Sequence, residues 1–193
     1  MTKSEKLIKL NNKILRCSQC ALCANRGHVV FGAGNPDAKI IFIGEAPGKK
    51  EDELGVPFVG SSGRILDKML ASIKIKREDV YLTNICKCRP PENRDPLPEE
   101  VKECWPWLKK QIEIIQPKII VTLGKYALNS FVPDTKISEV HGKILKIKIP
   151  KLGELKIFPL HHPAAARINK KTRTLFEEDF AKIPTLLKNK KEQ

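Results

Sequence analysis

Residues 40–52 read IIFIGEAPGKKED, in which a short apolar run leads into a loop with two glycines, two lysines and an acidic pair. Apolar runs without alternating polar residues are typical of strands that are buried on both faces of a parallel sheet. Helical patterns separate this run from three similar ones, and this alternation predicts βαβ units and a three-layer α/β fold. The other predicted strands are VYLTNI (80–85), KIIVTLG (118–124) and LKIFPLHH (155–162).

The predicted helices carry apolar side chains at helical spacing. Residues 61–73 form one such pattern. Residues 98–115 form another, with acidic residues in the first turn, where the helix dipole favours them. Leu7, Leu10 and Ile14 predict an amphipathic helix near the start of the chain.

The remainder of the chain contains a β-rich segment and a basic end. Residues 137–158 favour strands, with a hairpin turn predicted at Leu152-Gly153-Glu154. Residues 186–193, LLKNKKEQ, are expected to form a basic, frayed tail. Because no internal repeat divides the chain, we expect a single domain over residues 1–193.

The four predicted strands should end at one edge of the sheet. In parallel α/β sheets, ligands bind beyond the carboxyl ends of the strands. The segments that follow the strands are therefore candidates for a binding cleft. They are GEAPGKKED (44–52), Asn84-Ile85-Cys86, Gly124-Lys125 and His161-His162-Pro163.

The charge of the chain is strongly positive. It has 36 Lys and Arg against 22 Asp and Glu, a formal net charge of +14 and a pI near 9.6. Such a surplus favours a polyanionic partner, most commonly nucleic acid, whereas a heat-adapted surface explains many charges but not the bias towards one sign.

The apolar runs are too short to cross a membrane, and the first residues lack the apolar core of a signal peptide. We therefore expect a cytoplasmic protein with no membrane partner, and a monomer. In that compartment the six cysteines favour metal ligands or free thiols over disulfides.

The cysteines suggest a metal centre. Cys17 and Cys20 form a C-x2-C pair, which lets two thiolates converge on one metal, and two more cysteines would complete a four-thiolate site. Cys88 and Cys104 are the second pair in that interpretation, and Cys86 is expected to be a buried apolar residue at a strand end. Zinc and an iron–sulfur cluster both suit four thiolates, and the wide spacing of the second pair favours the cluster.

The loop after the first strand does not fit a nucleotide-binding motif. A Walker A loop needs four residues between its glycines and a Ser or Thr after the lysine, but three residues separate Gly44 from Gly48, and Lys50 takes the Ser/Thr position. Glu45 and Glu51 would also repel phosphate. Carboxylates at this edge suit a neutral ligand or a water molecule better, although Glu45 could instead cap a helix.

Four blocks, taken in order, resemble the family 4 uracil-DNA glycosylases, the iron–sulfur members of their superfamily. The resemblance extends from Cys17 to about Phe180. It implies a four-stranded parallel sheet between helices and hydrolysis of the bond between uracil and deoxyribose in DNA. The blocks are GEAPGKKED (44–52), VPFVGSSG (56–63), TNICKCRPPENRDPLPEEVKEC (83–104) and HHPAAARIN (161–169).

The resemblance also implies a [4Fe-4S] cluster. Matched block by block, the cluster ligands fall on Cys17, Cys20, Cys88 and Cys104. Cys23 and Cys86 lie outside the pattern and are expected to be non-ligands.

The site residues implied by the resemblance surround a flipped uracil. Phe58 corresponds to the aromatic residue that stacks on the base, and Asn84 to the amide that pairs with its polar edge. Glu51 corresponds to the residue near C5 that hinders a thymine methyl. His162, rather than His161, corresponds to the histidine that hydrogen-bonds uracil O2 as negative charge develops. Glu45, Ala46 and Pro47 correspond to the turn that contacts uracil and positions the attacking water.

Two positions depart from the pattern. Ala46 replaces the Asp that activates water in better-known members of the superfamily, so activation of the water by Glu45 is a hypothesis. The large apolar residue that usually fills the gap left by the flipped base is absent, and Arg167 or Ile168 is the candidate for that role. The absence of a long basic insertion makes a covalent mechanism unexpected. No lysine stands out as a Schiff-base nucleophile, so we predict a monofunctional enzyme that uses water.

Partners and rival functions follow from the same residues. Uracil-containing DNA is the expected substrate, and a replication sliding clamp is a further candidate partner. One alternative is a catalytically weak iron–sulfur module that binds uracil-containing or damaged DNA, and another is a nucleotide hydrolase with a zinc site. Basic residues expected to contact DNA phosphates are Lys87, Arg89, Arg94, Arg167 and Lys170.

Overall fold

The computed structural model describes residues 1–188. The strands in that range are β1 (Ala33–Gly34), β2 (Ile40–Gly44), β3 (Tyr81–Asn84), β4 (Ile119–Leu123), β5 (Leu145–Ile149) and β6 (Gly153–Leu160). The helices are α1 (Lys3–Ile14), α2 (Lys49–Leu54), α3 (Ser61–Ser72), α4 (Pro98–Ile115), α5 (Lys125–Asn129), α6 (Ile137–Val140), α7 (Pro163–Ile168), α8 (Lys170–Phe180) and α9 (Ile183–Leu187). Of the predicted tail, residues 189–193 lie outside the described range.

The strands form one six-stranded mixed sheet in the order β1-β3-β2-β4-β6-β5. The α/β class is confirmed, but the sheet has more strands than the four parallel ones expected. Strands β3, β2, β4 and β6 run parallel to one another, and β1 and β5 add an antiparallel strand at each edge. Strand β1 has only two residues, too few to produce a periodic pattern.

Two apolar clusters lie on the two faces of the sheet, because successive strand residues point to opposite faces. One face packs against α1 and α4, for example through Ile41 and Ile43. The other face packs against α3 and α8, for example through Phe42 and Leu82. The arrangement is helix, sheet, helix, as the alternating pattern predicts.

The segment before β6 differs in part from its predicted structure. Residues 137–158 were expected to be β-rich, but Ile137–Val140 forms a short helix. Strands β5 and β6 then pair as an antiparallel hairpin whose turn precedes Gly153, close to the predicted position. In the described part of the chain, no helix has both the length and the apolar character that crossing a bilayer requires.

The pairing of β2 with β3 positions the loop that follows each strand. Gly44 and Asn84 are register partners at the ends of these strands. Backbone hydrogen bonds continue beyond them, from Ile85 N to Gly44 O at 2.9 Å and from Cys86 N to Glu45 O at 3.0 Å. The two loops therefore leave the sheet side by side, at its carboxyl edge.

Candidate active site

A cavity of about 370 Å³ opens at the carboxyl edge of the sheet, beside the ends of β2 and β3. Five of the predicted site residues meet there, from four separate segments of the chain: Ala46, Glu51, Phe58, Asn84 and His162. The cavity is lined by Ala46, Gly48, Lys49, Lys50, Glu51, Phe58, Gly60, Ser61, Ser62, Arg64, Asn84, Asn93 and His162.

Gly44 allows Phe58 and Asn84 to approach each other across the floor of this cavity. A Cβ atom at Gly44 would collide with Asn84 Oδ1 and would lie 2.8 Å from Phe58 Cζ. Phe58 is buried and has a positive φ of 54°, a conformation that costs a non-glycine residue energy. The position of this ring near the amide therefore has a cost in backbone conformational energy.

The side-chain amide of Asn84 is available to a ligand. Asn84 is only 3% exposed, and its side chain has no hydrogen-bond partner within residues 1–188. A buried polar group without a partner is unfavourable, so most such groups are paired in folded proteins. An unpaired amide that lines a cavity is suited to a ligand that offers both a donor and an acceptor.

Glu51 supports the turn that carries Phe58. Its Oε1 atom accepts hydrogen bonds from the backbone N–H groups of Val59 at 2.9 Å and Gly60 at 2.7 Å. These bonds hold the carboxylate at the wall of the cavity and fix the two residues that come directly before α3.

The imidazole of His162 lies in the cavity as a neutral hydrogen-bond donor. Its Nδ1 accepts a hydrogen bond from Ala164 N at 3.2 Å, so in the neutral ring the proton is on Nε2. Burial lowers the pKa of His162 to about 4, which keeps the ring neutral at physiological pH. His161 instead packs its ring against His141, with centroids 4.8 Å apart.

Glu45 lines a separate and larger cavity rather than the one that contains Asn84. This second cavity, of about 840 Å³, is mainly bounded by the segments around α5 and the start of α4. Burial, together with the negative charge of Asp95, raises the pKa of Glu45 to about 7, although Lys125 opposes the shift. The adjoining Ala46 does line the smaller cavity, and Pro47 is buried behind it.

Basic residues at the mouth of the smaller cavity were not singled out as DNA contacts from the sequence. Lys49, Lys50 and Arg64 are exposed there, on the first turns of α2 and α3. Their position directly after two glycine-rich turns was the available signal. They give the opening of the cavity a positive charge suited to a phosphate backbone.

Of the basic residues predicted to contact DNA, Lys87 does not fit that role. It is 1% exposed, and its ammonium group is bound within the protein. The sequence prediction was wrong because a lysine is normally exposed, and its buried partners are distant in sequence. Arg94 is held in a bidentate ion pair with Glu100, at 2.7 and 2.9 Å. Arg167 and Lys170 are exposed.

The four predicted cluster ligands border one small enclosed space. Cys17, Cys20, Cys88 and Cys104 line it together with Cys23. Among residues 1–188, no group of three or more His, Cys, Asp or Glu side chains is arranged to bind a metal ion. Cys86 is fully buried, as expected for a residue that continues a strand.

Two of these four sulfur atoms receive hydrogen bonds from neighbouring groups. Arg26 Nη1 lies 3.4 Å from Cys88 Sγ, and the backbone N–H of Lys87 donates to Cys104 Sγ at 3.3 Å. Hydrogen bonds to sulfur and partial burial are features of cysteine-ligated iron–sulfur clusters. The donor set therefore fits such a group.

Comparisons with known proteins identify the family of the chain. The family model described as the uracil DNA glycosylase superfamily matches residues 31–183. A type-4 uracil-DNA glycosylase of Archaeoglobus fulgidus is 45% identical over 188 residues, covering 94% of each chain. One from Sulfurisphaera tokodaii is 43% identical, covering 94% of this chain and 85% of the relative. Another, from Thermotoga maritima, is 42% identical and covers 97% of each chain.

Proposed function

Because the chain belongs to the uracil-DNA glycosylase superfamily, we propose that it hydrolyses the N-glycosidic bond of uracil in DNA and so starts base-excision repair. The observation that supports this most strongly is the unpaired Asn84 amide in a cavity that also contains Phe58 and His162. The three relatives described above are each named a type-4 uracil-DNA glycosylase, which favours an enzyme over a module that only binds damaged DNA.

The cavity suits a uracil that has been flipped out of the base stack. Asn84 offers an acceptor to uracil N3–H and a donor to uracil O4. Cytosine presents the opposite pattern at these two positions, so its binding would leave unfavourable contacts. Phe58 supplies an apolar face for the ring, and Glu51, held by two backbone N–H groups, is placed to oppose a substituent at C5.

His162 acts on the leaving base. As the glycosidic bond breaks, negative charge develops on uracil, and the Nε2–H of His162 donates to O2. A neutral imidazole suits this role because its donor is already in place and no proton has to be transferred. The orientation of the ring follows from the Ala164 N–H bond to Nδ1.

Glu45 is proposed to orient the attacking water. Its raised pKa places it close to the range where a general base is most effective near neutral pH. Glu45 borders the larger cavity, and Ala46 borders the smaller cavity, which we call the uracil cavity. The turn from Glu45 to Pro47 therefore forms the boundary between the two.

We also propose that Cys17, Cys20, Cys88 and Cys104 hold a [4Fe-4S] cluster. The cluster would tie the loop after α1 to the segment between β3 and α4 and to the first turns of α4. Arg26 and the Lys87 N–H would donate to the sulfurs. Cys23 lies close enough that its exclusion from the ligand set needs a direct test.

Ile168 is the better candidate for the residue that fills the gap in the duplex. It is 80% exposed at the end of α7, the helix that His162 caps. An exposed apolar side chain on the helix that begins after His162 can replace base stacking, as wedges do in other DNA-bending proteins. Lys49, Lys50 and Arg64 would contact phosphates around the flipped nucleotide. The sliding clamp and the monomeric state stay predictions.

A glycosylase assay tests the proposal. Incubation with a uracil-containing oligonucleotide, followed by alkali, should cleave the strand at uracil and nowhere else. Binding without release of the base would contradict the enzymatic function and leave only recognition.

A further inference from the structure

Lys87 lies in the core of the protein, directly behind the uracil cavity. Its Nζ atom is 2.6 Å from each of three acceptors: Thr83 Oγ1, the backbone oxygen of Asn84 and Gln111 Oε1. An ammonium group has three N–H donors, so each of them is used. A buried lysine needs a hydrogen-bond acceptor for each of these donors to offset the loss of its hydration.

The acceptors of Lys87 are themselves held in place by the core. Gln111 Nε2 donates to Phe31 O at 2.8 Å, which directs Gln111 Oε1 towards the ammonium group. Thr83 Oγ1 donates to the same carbonyl oxygen at 2.9 Å. Gln111 and Thr83 are both fully buried. The ammonium group therefore bonds to a rigid frame on one side and to Asn84 on the other.

The carbonyl of Asn84 is the last one in β3, where the chain leaves the sheet. On the other side of this peptide, Ile85 N donates to Gly44 O at 2.9 Å. Lys87 Nζ binds the carbonyl oxygen of the same peptide. Together these bonds fix the plane of the peptide that follows Asn84, and so restrain the backbone from which the Asn84 Cα–Cβ bond projects.

We propose that Lys87 is a positioning residue for uracil recognition, which holds the Asn84 backbone so that the side-chain amide enters the cavity in the productive orientation. This inference rests on the proposed function, since it assigns Lys87 an effect on catalysis through Asn84. A displacement of about 1 Å in such a group can lower a rate on the order of 100-fold.

A double-mutant cycle separates this role from a purely structural one. Lys87→Met keeps most of the side-chain volume and removes all three donors. Single-turnover rates on a uracil-containing oligonucleotide are compared for wild type, Lys87→Met, Asn84→Ala and the double variant. Lys102→Met, at an exposed position of α4, serves as the matched control.

We expect Lys87→Met to lower the rate roughly 10- to 100-fold when Asn84 is present. In the Asn84→Ala background the same change should have an effect of about twofold or less, because the group it positions is gone. Affinity for uracil-free DNA and the iron content should match those of wild type, as should every property of Lys102→Met.

Equal losses from Lys87→Met in both backgrounds, or no loss in either, would overturn the inference. If Lys87→Met fails to fold, Thr83→Val replaces it in the cycle, since it removes one partner of the ammonium group at constant shape. The same non-additivity is then expected with a smaller loss, and additivity again overturns the inference. An inactive wild-type protein would instead refute the proposed function.

Discussion

Gly44 and Asn84 are register partners at the ends of β2 and β3, and the missing side chain of Gly44 provides the space that the Asn84 amide occupies. The same space admits the ring of Phe58, whose Cζ atom would lie 2.8 Å from a Cβ at Gly44. One glycine thus leaves room for both the ring that would stack on a face of uracil and the amide that would bind its edge.

Replacement of Gly44 by alanine should damage the site more than the fold. The new Cβ atom would displace the Asn84 amide and the Phe58 ring, and we expect the single-turnover rate to fall by about 100-fold. Thermal unfolding measured in parallel should show a cooperative transition. A Gly44→Ala protein that removes uracil at the wild-type rate would show that the amide and the ring need not meet at this point.

Replacement of Glu45 by glutamine should change both the pH dependence of activity and stability. With a pKa of about 7, wild-type Glu45 should impose an acid limb on kcat, so that the rate falls as the pH drops below 7. Glu45→Gln should be slower by about 100-fold or more and show no such limb.

Raising the pH should lower the stability of the wild-type protein, although it raises the rate. The folded-state pKa of Glu45 is raised above its ordinary value, so the folded protein binds the proton more tightly than the unfolded chain does. Stability is therefore lost as the pH rises from 4.5 through about 7. Glu45→Gln should be more stable than wild type at pH 8 and similar below pH 4.5, as measured by chemical denaturation. If both the rate and the stability of Glu45→Gln varied with pH as those of wild type do, Glu45 would be excluded as the titrating group.

The strands and the carboxyl edge of the sheet could be predicted because burial on both faces leaves a continuous apolar run, as in IIFIG (40–44). The short edge strand β1 could not, since its pairing with β3 depends on contacts distant in sequence. Local patterns report which residues are apolar, but not which distant segments will meet.

For individual site residues too, the sequence did not reveal which distant segments would surround them. Asn84 stood out from the sequence because a polar residue ends an apolar strand. Lys87 was misplaced because its burial depends on Gln111, which lies on α4. The turn at Glu45 was located at the sheet edge, but the cavity that its carboxylate borders depends on α5 and the start of α4.

The cysteines offer a test with matched controls. Purified under anaerobic conditions, the protein should be brown and contain about four iron ions per chain. Cys88→Ser should lose iron and destabilise the segment between β3 and α4. Cys86→Ser and Cys23→Ser should retain it, because these residues are not proposed as ligands. Iron and sulfide analysis with absorption spectra measures the outcome, and a colourless protein loaded with zinc would refute the cluster.

Ile168 should matter for duplex substrates in particular. Ile168→Ala removes the exposed apolar side chain at the end of α7, so the flipped state in a duplex should be less stable. We expect a rate about tenfold lower on double-stranded DNA, and little change on single-stranded DNA, which has no stack to replace. Leu54→Ala, at another exposed apolar position, is the control. An equal loss on both substrates would argue against a wedge.

The release of uracil by wild type, Asn84→Ala and the surface control Asn12→Ala is the most direct test of the central claim. An oligonucleotide with a single uracil is incubated with each protein, and free base is quantified. Wild type and Asn12→Ala should release uracil at equal rates, and Asn84→Ala should be slower by about 1,000-fold or more while folding normally. No release by wild type, or a wild-type rate in Asn84→Ala, would contradict recognition of uracil by this amide.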